Sequence, residues 1–373
     1  MKRPNGHEVI QLFESWSPKK YACMENDPIG LAIGTLNKTV TNVLVTLDVT
    51  DAVVDEAIEN GCELIIAHHP PIFRKLANIR TDNPQGALFE KLIKNDIAVY
   101  AAHTNLDVAP GGVNDLLADA LQLQYTKILD ETYKENLMKL AVFVSENEAD
   151  ELREALAKAG AGQLGDYSNC SFSTEGKGRF KPLADADPFI GTPGEQEIVA
   201  EEKIEVVFPA SKKARVLKAM FNAHPYEEPA YDLFHLDVVA EKQGLGRIGS
   251  LKEPMTLQAF AEFVKQQLDV PALRVVGPLD RLVQKVAVVG GDGNKYIYTA
   301  KFAGADVFVT GDIGFHMAQD AEVNGLSIVD PGHHVEKVMI QGVAEKMTTL
   351  CADKKYNVTF KQSQIHTEPF KFI

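Results

Sequence analysis

Short apolar runs alternate with segments of helical period along most of the chain. From Asn42, "NVLVTLDVTDAVVDEAIENGCELIIAHHPP" reads as an apolar strand, a helix with apolar positions at helical spacing, a glycine stop and a second apolar strand. That succession predicts a β-α-β unit with a parallel sheet. "GALFEKLIKNDIAVYAAHTNLDVAPGGVNDLLADAL" repeats the theme: a helix, the strand "IAVYAAH", a Pro- and Gly-rich loop, and another helix from about Asn114. Downstream, "KVAVVGGDGNKYIYTAKFAGADVFVTGDIGFHMAQDAEVNGLSIVDPGHHVEKVMIQGVAEKM" predicts three more apolar strands separated by helices.

Between these halves the texture differs and carries a faint internal repeat. "LMKLAVFVSENEADELREALAKAGAGQLGDYSNCSFS" and "EKIEVVFPASKKARVLKAMFNAHPYEEPAYDLFHLDV" each predict strand, helix, strand, and "GRFKPLADADPFIGTPGEQE" between them reads as an extended hairpin or loop. Two tandem units of this kind make a ferredoxin-like α+β domain. It is placed at residues 131–238, inserted into an α/β domain whose halves are residues 1–130 and 239–373.

Composition narrows the function classes. With 373 residues, 45% hydrophobic and 24% charged, the chain has material for two cores and none of the signature of disorder. A net charge of −14 disfavours nucleic acid and anionic membrane as partners. Four scattered cysteines without a C-x-x-C read as reduced thiols, and no apolar run approaches the ~18 residues of a membrane span. A cytoplasmic protein with a small-molecule partner is expected.

Candidate chemistry collects at the predicted strand ends, where open α/β sheets bind ligands. In "IIAHHPP", period-2 alternation would send His68 and His69 to opposite faces, so both address one site only if the strand has ended. Pro70 and Pro71 supply that ending. In "PGHHVEK", His333 and Glu336 are three apart and share a helix face, with His334 as an outward neighbour. "AAHTNLDVAPGG" adds His103 and Asp107. Each piece alone is commonly structural: a hydrogen-bonding histidine, a helix-start glutamate, a turn-forming aspartate. Together His68, His69, Asp107, His333 and Glu336 are a mixed N/O donor set suited to zinc, iron or manganese, and five ligands fit two ions with open positions. Asp312 could orient a ligand histidine, and His103 or His316 could move protons. "VVGGDGNK" invites a phosphate-loop reading, but it lacks the G-x-x-x-x-G-K-[ST] pattern and is better read as a tight turn.

The segments "DPIGLAIG", "LDVT", "AHHPPIF", "HTNLDVAPGGVND", "TGDIGFHMAQDA" and "DPGHHVEK" together resemble the motif set of the bacterial GTP cyclohydrolase I type 2 homologues, also called Nif-three-like proteins, over nearly the whole chain. The resemblance implies a mixed α/β sheet with flanking helices, a toroidal homohexamer, and a dinuclear metal site of a His-His pair, an Asp, and a His plus Glu on a late helix. Those ligands match His68, His69, Asp107, His333 and Glu336. In many relatives the last pair is four residues apart rather than three. The long form of the family carries a central domain similar to CutA and PII proteins, which "AHPYEEPAYDLFHL" resembles.

The expected function is a metal-dependent hydrolase of a small, nucleotide-like substrate, with two divalent ions (zinc first, iron or manganese as alternatives) and His103 as proton carrier. The family name implies opening of the GTP imidazole ring with release of formate. The competing expectation is a non-enzymatic metal-binding scaffold or sensor acting through the inserted domain.

Overall fold

The computed structural model describes residues 2–373 and divides the chain into two compact units, Met1–Tyr133 with Gln243–Ile373, and Lys134–Lys242. Two long strands, Gln124–Ser145 and Tyr231–Thr256, begin in one unit and end in the other.

The first unit is built on two mixed sheets with flanking helices. In one, the strands Asn42–Thr46, Leu64–Ala67 and Ala98–Ala101 run parallel in that order. Thr359–Gln362 is added in parallel at one edge, and Gly30–Ile33 antiparallel at the other. In the other, Leu282–Asp292, Val307–Gly311 and Ser327–Asp330 are parallel neighbours, bounded by the antiparallel strands Tyr231–Thr256 and Arg274–Val276. The continuous apolar strands are central because both their faces are covered: Leu64, Ile65 and Ile66 are each 0% exposed. Each such side chain contributes ~1.5–3 kcal/mol of burial.

The connecting helices follow local rules. Thr50 caps Asp51–Glu59 through its hydroxyl, and Asn5 with Glu8 forms a capping box on Gly6–Trp16. Asp115 on the helix Val113–Ala120 accepts from Nε and Nη2 of the buried Arg247, whose Nη1 donates to the carbonyls of Gly244 and Gly246, each at 2.9 Å.

The second unit has β-α-β-β-α-β order, with spatial strand order Phe172–Phe180, Glu197–Pro209, Gln124–Ser145, Tyr231–Thr256. Met138, Leu140, Val142 and Val144 alternate toward one face. There they pack with Ile204, Val206 and Phe208 under the helices Ala149–Lys158 and Lys213–Ala223. Among the described residues, no helix is long and apolar enough to cross a membrane.

Candidate metal centre

The strand Leu64–Ala67 stops one residue before the histidine pair. The backbone N–H groups of His68 and His69 still donate to the carbonyls of Thr46 (3.1 Å) and Leu47 (2.9 Å), but Pro70 and Pro71 have no N–H to continue. Freed from strict alternation, both rings turn to the same side, with centroids 5.1 Å apart. His68 is 0% exposed and its Nδ1 lies 2.8 Å from the Ala102 carbonyl. A carbonyl only accepts, so Nδ1 carries a proton and, in the neutral ring, Nε2 presents its lone pair. His69 is held the same way: Nδ1 is 2.6 Å from Asp48 Oδ1, and Nε2 is 3.1 Å from Glu336 Oε2.

Glu336 is the centre of the cluster. It sits in a tight turn, His333–Lys337, that feeds the helix Val338–Asp353. Its buried Oε2 lies 3.2 Å from His333 Nε2, 3.1 Å from His69 Nε2 and 3.6 Å from His68 Nε2. Asp107, on the short helix Thr104–Val108, brings Oδ1 to 3.5 Å from His68 Nε2. The five residues therefore converge, but from two sheets rather than one. His68, His69 and Asp107 follow strands of the first sheet, while His333 and Glu336 follow the last parallel strand of the second. Asn114 links the two sides, donating to the Asp107 carbonyl (3.0 Å) and accepting from Gly290 N–H (3.0 Å).

The glycines of "VVGGDG" explain themselves here. A Cβ on Gly291, whose φ is +62°, would stand 2.7 Å from Glu336 Oε1 and 3.1 Å from His333 Nε2, and one on Gly290 would stand 3.1 Å from Glu336 Oε1. They are glycine because the backbone passes against the cluster.

The remaining histidines separate clearly. His103 borders the cluster, its ring 5.4 Å from that of His68, and its Nδ1 is 2.8 Å from Asp27 Oδ1. His333 Nδ1 lies 2.7 Å from Asp312 Oδ2. His334 turns away to the Thr367 hydroxyl (3.2 Å), and His316 lies beside Gln319 (3.4 Å) and the ring of Phe315. Asp27 and Asp48 carry roles that sequence reasoning missed. Both stand in quoted motifs, "DPIG" and "LDVT", where an aspartate reads as a turn or helix-start residue. The available signal was an acid just beyond a buried strand, as Asp48 is beyond Thr46.

The electrostatics show what the cluster lacks. His68 Nε2 and Asp107 Oδ1 are buried without a hydrogen-bond partner, an arrangement that costs ~1–3 kcal/mol per group. Burial opposes charge on His69, yet Asp48 and Glu336 outweigh it and push its pKa up to about 9. The hydrogen bond that His333 donates to Glu336, aided by Asp312, pushes its pKa up to about 10 against the effect of burial. His68 is raised too, the charges of Asp107 and Glu336 prevailing over burial. Burial, with the charge of Glu336, lifts Asp107 to about 6. Glu336 is held well below the usual carboxylate range, the imidazoles overcoming burial. Two buried carboxylates thus draw positive charge into the site, and a metal ion satisfies the same demand along with the orphaned atoms. His68, His69 and Glu336 each offer a ligand atom, and these lie within 4.8 Å of one another, a set that could hold a metal ion. A cavity of about 910 Å³ opens at this point, with His69, His333, Asp312, Arg274, Phe370 and Phe372 in its lining.

Comparison with known proteins places this arrangement. The chain is 57% identical over 372 residues to a Bacillus subtilis protein named GTP cyclohydrolase 1 type 2 homolog, covering 100% of both. A solved Bacillus cereus protein related to NIF3 superposes over 100% of both chains with a TM-score of 0.93 and 58% identity. A Staphylococcus aureus structure does so over 100% of both with a TM-score of 0.83 and 34% identity. The sequence matches the Duf34/NIF3 (NGG1p interacting factor 3) family from residue 4 to 369, so the chain belongs to that family.

Proposed function

We propose that His68, His69, Asp107, His333 and Glu336 hold two divalent metal ions, zinc in the first instance, and that the centre hydrolyses a small, nucleotide-like substrate. The observation that carries this reading is the convergence of three imidazoles on one buried carboxylate, with His68 Nε2 and Asp107 Oδ1 left unpartnered beside it. The ions would supply Lewis acidity toward water and toward the bond to be broken.

The chain's own groups do the rest. Asp48 and Asp312 fix the Nδ1 side of His69 and His333, so the Nε2 atoms face inward. Asp27 orients His103 in the same manner, and Thr104 donates to the other Asp27 oxygen through N–H and hydroxyl. His103 is thereby a fixed imidazole beside the cluster, suited to accept and return a proton. The cavity at the mouth, with phenylalanines and Arg274 in its lining, is of a size for a substrate with a ring and an anionic group. The name carried by the Bacillus subtilis relative is consistent with a nucleotide. We read residues 134–242 as the CutA/PII-like insert and the assembly as a homohexamer, which light scattering measures directly.

The first test is elemental analysis of untagged protein, wild type against a His68→Ala, His333→Ala double variant. Near two transition-metal ions per chain, lost in the variant, is the expected result. A wild type that stays empty after metal is supplied overturns the centre. A panel of nucleotides, phosphoesters and amides then tests turnover. His103→Ala should abolish activity with metal content intact, and a loaded protein silent on every substrate class would leave a metal-binding protein without hydrolysis.

A further inference from the structure

The second unit has a cavity of its own, and nothing in the metal-centre reading uses it. It lies on the sheet face opposite the two helices, has a volume of about 1080 Å³, and is closed on one side by the loop 181–196. At its floor is Glu201, 8% exposed. One carboxylate oxygen, Oε1, accepts from the Tyr226 hydroxyl at 3.1 Å. The nearest cation along the same strand, Lys203, is drawn the other way, its Nζ 3.1 Å from Glu205. A nearly buried carboxylate whose partner is a hydroxyl rather than a cation leaves a place for a counter-charge.

The walls carry aromatic rings together with charged residues of both signs, among them Lys177, Arg179, Asp185 and Glu228. Phe180 and Phe189 stand with ring centroids 6.3 Å from that of Tyr226 on their respective sides. Tyr226 is itself locked: its backbone N–H donates to His224 Nδ1 (3.1 Å), while His224 Nε2 donates to the Phe143 carbonyl (2.9 Å). Burial and the charge of Glu201 push the Tyr226 phenol up to about 12, which keeps it a donor. The facing strand makes room. A Cβ on Gly178 would meet Glu201 Oε2 at 2.2 Å, so the carboxylate lies directly over a glycine. Glu227 fastens the loop by accepting from Asp187 N–H at 3.1 Å.

We propose that this cavity binds a small organic cation, an ammonium or amidinium group carried on an apolar or planar body. The cation pairs with Glu201, and its body rests against Phe180, Phe189 and Tyr226. Buried carboxylate and aromatic faces are complementary to the same ligand: the first supplies charge, the second cation–π attraction and apolar area. An anion would meet Glu201 with like charge, and a neutral ring would leave the carboxylate unpaired.

Benzamidine is the probe, with benzyl alcohol and benzoate as neutral and anionic controls of like shape. Calorimetry and ligand-observed NMR on the full chain should show saturable binding of benzamidine and none of the controls. Glu201→Gln, which keeps the Tyr226 hydrogen bond, should weaken it at least about tenfold, as loss of a charged partner does. Phe189→Ala, on the exposed loop, should weaken it severalfold without touching the fold. Equal binding by benzyl alcohol, or full affinity in Glu201→Gln, overturns the proposal, as does the absence of saturable binding. In that last case a lower mass for Phe189→Ala by light scattering would assign the face to contact between copies of the chain.

Discussion

Asp48 offers the sharpest handle on the proposed centre because it touches a ligand without being one. Its Oδ1 accepts from His69 Nδ1 at 2.6 Å, and its Oδ2 accepts from the Thr367 hydroxyl, so the carboxylate is itself held in place. Asp48→Ala removes both the orientation of the ring and the negative charge that makes Nε2 a better donor. Loss of such a partner typically weakens metal binding ~10–100-fold. A second effect works against the first. In the metal-free protein Asp48 also helps hold a proton on His69, whose pKa is pushed up to about 9, so the variant loses part of the competition that a metal must overcome near neutrality. Orientation wins, because a free ring samples rotamers that miss Glu336 altogether, but the net loss falls at the low end, about tenfold or ~1.4 kcal/mol.

Asp48→Asn separates the terms. An amide oxygen still accepts from Nδ1 and keeps the ring aimed, so only the charge-assisted part of the hydrogen bond goes, and the loss should be smaller than for Asp48→Ala. Zinc affinity is read by competition with a chromogenic chelator at fixed pH, with melting of the metal-free proteins as a control for folding. Wild-type affinity in Asp48→Ala would refute the reasoning, because His69 would then owe neither its aim nor its basicity to Asp48. So would an Asp48→Asn variant weaker than Asp48→Ala.

Three further outcomes are expected. Gly291→Ala places a methyl against Glu336 Oε1 and His333 Nε2 at a φ of +62°, so metal content should fall sharply while circular dichroism keeps its shape; full metal content would show the backbone is not pressed on the site. In metal-free protein, His69 and His333 have pKa values raised to about 9 and about 10 above the ~6.5 of an unfolded chain. Their contribution is complete below ~6.5 and is lost as pH rises through about 9 and 10, so melting temperature should drop over that window in the apo protein, and a flat profile would refute the assignment. Asp115→Ala leaves the buried Arg247 without its carboxylate, which should cost ~3–5 kcal/mol in urea unfolding, and a loss below ~1 kcal/mol would mean that the pair is effectively solvated.

How much of this was legible in the sequence depended on whether a signal was local. The strands Leu64–Ala67, Val307–Gly311 and Ser327–Asp330 are built on adjacent apolar residues (Leu64 to Ala67, Val307 to Val309, Ile328 and Val329), and such runs are buried on both faces. The histidine pair was legible because its constraint is also local: two prolines end the ladder and let adjacent side chains share a side. What stayed hidden was non-local. That the parallel strands form two sheets is decided by edges, where Gly30–Ile33, Arg274–Val276 and Thr359–Gln362 attach; each is three or four residues long and too short to declare its neighbour. The division matters for the site. If the candidate ligands all stood at the edge of one sheet, they would form a row, each reachable from solvent. Because they come from two sheets, Glu336 is enclosed from opposite directions, and His68 and Asp107 are buried with atoms unpartnered.

The same distinction explains the missed aspartates. Asp27 and Asp48 lie 76 and 21 residues from the histidines they hold, and in the linear text each sits where an aspartate already has an ordinary reason to be: before a proline, before a helix. A residue with a sufficient local explanation gives no residual signal for a distant one. The glycines behave oppositely. "VVGGDG" looked like a turn, and Gly291 does take a positive φ, but the closest atoms to its absent side chain belong to Glu336 and His333, some forty residues downstream. The turn needs one flexible residue. Two in succession are required only because the chain must pass a carboxylate at van der Waals distance, and that reason exists only in the folded protein.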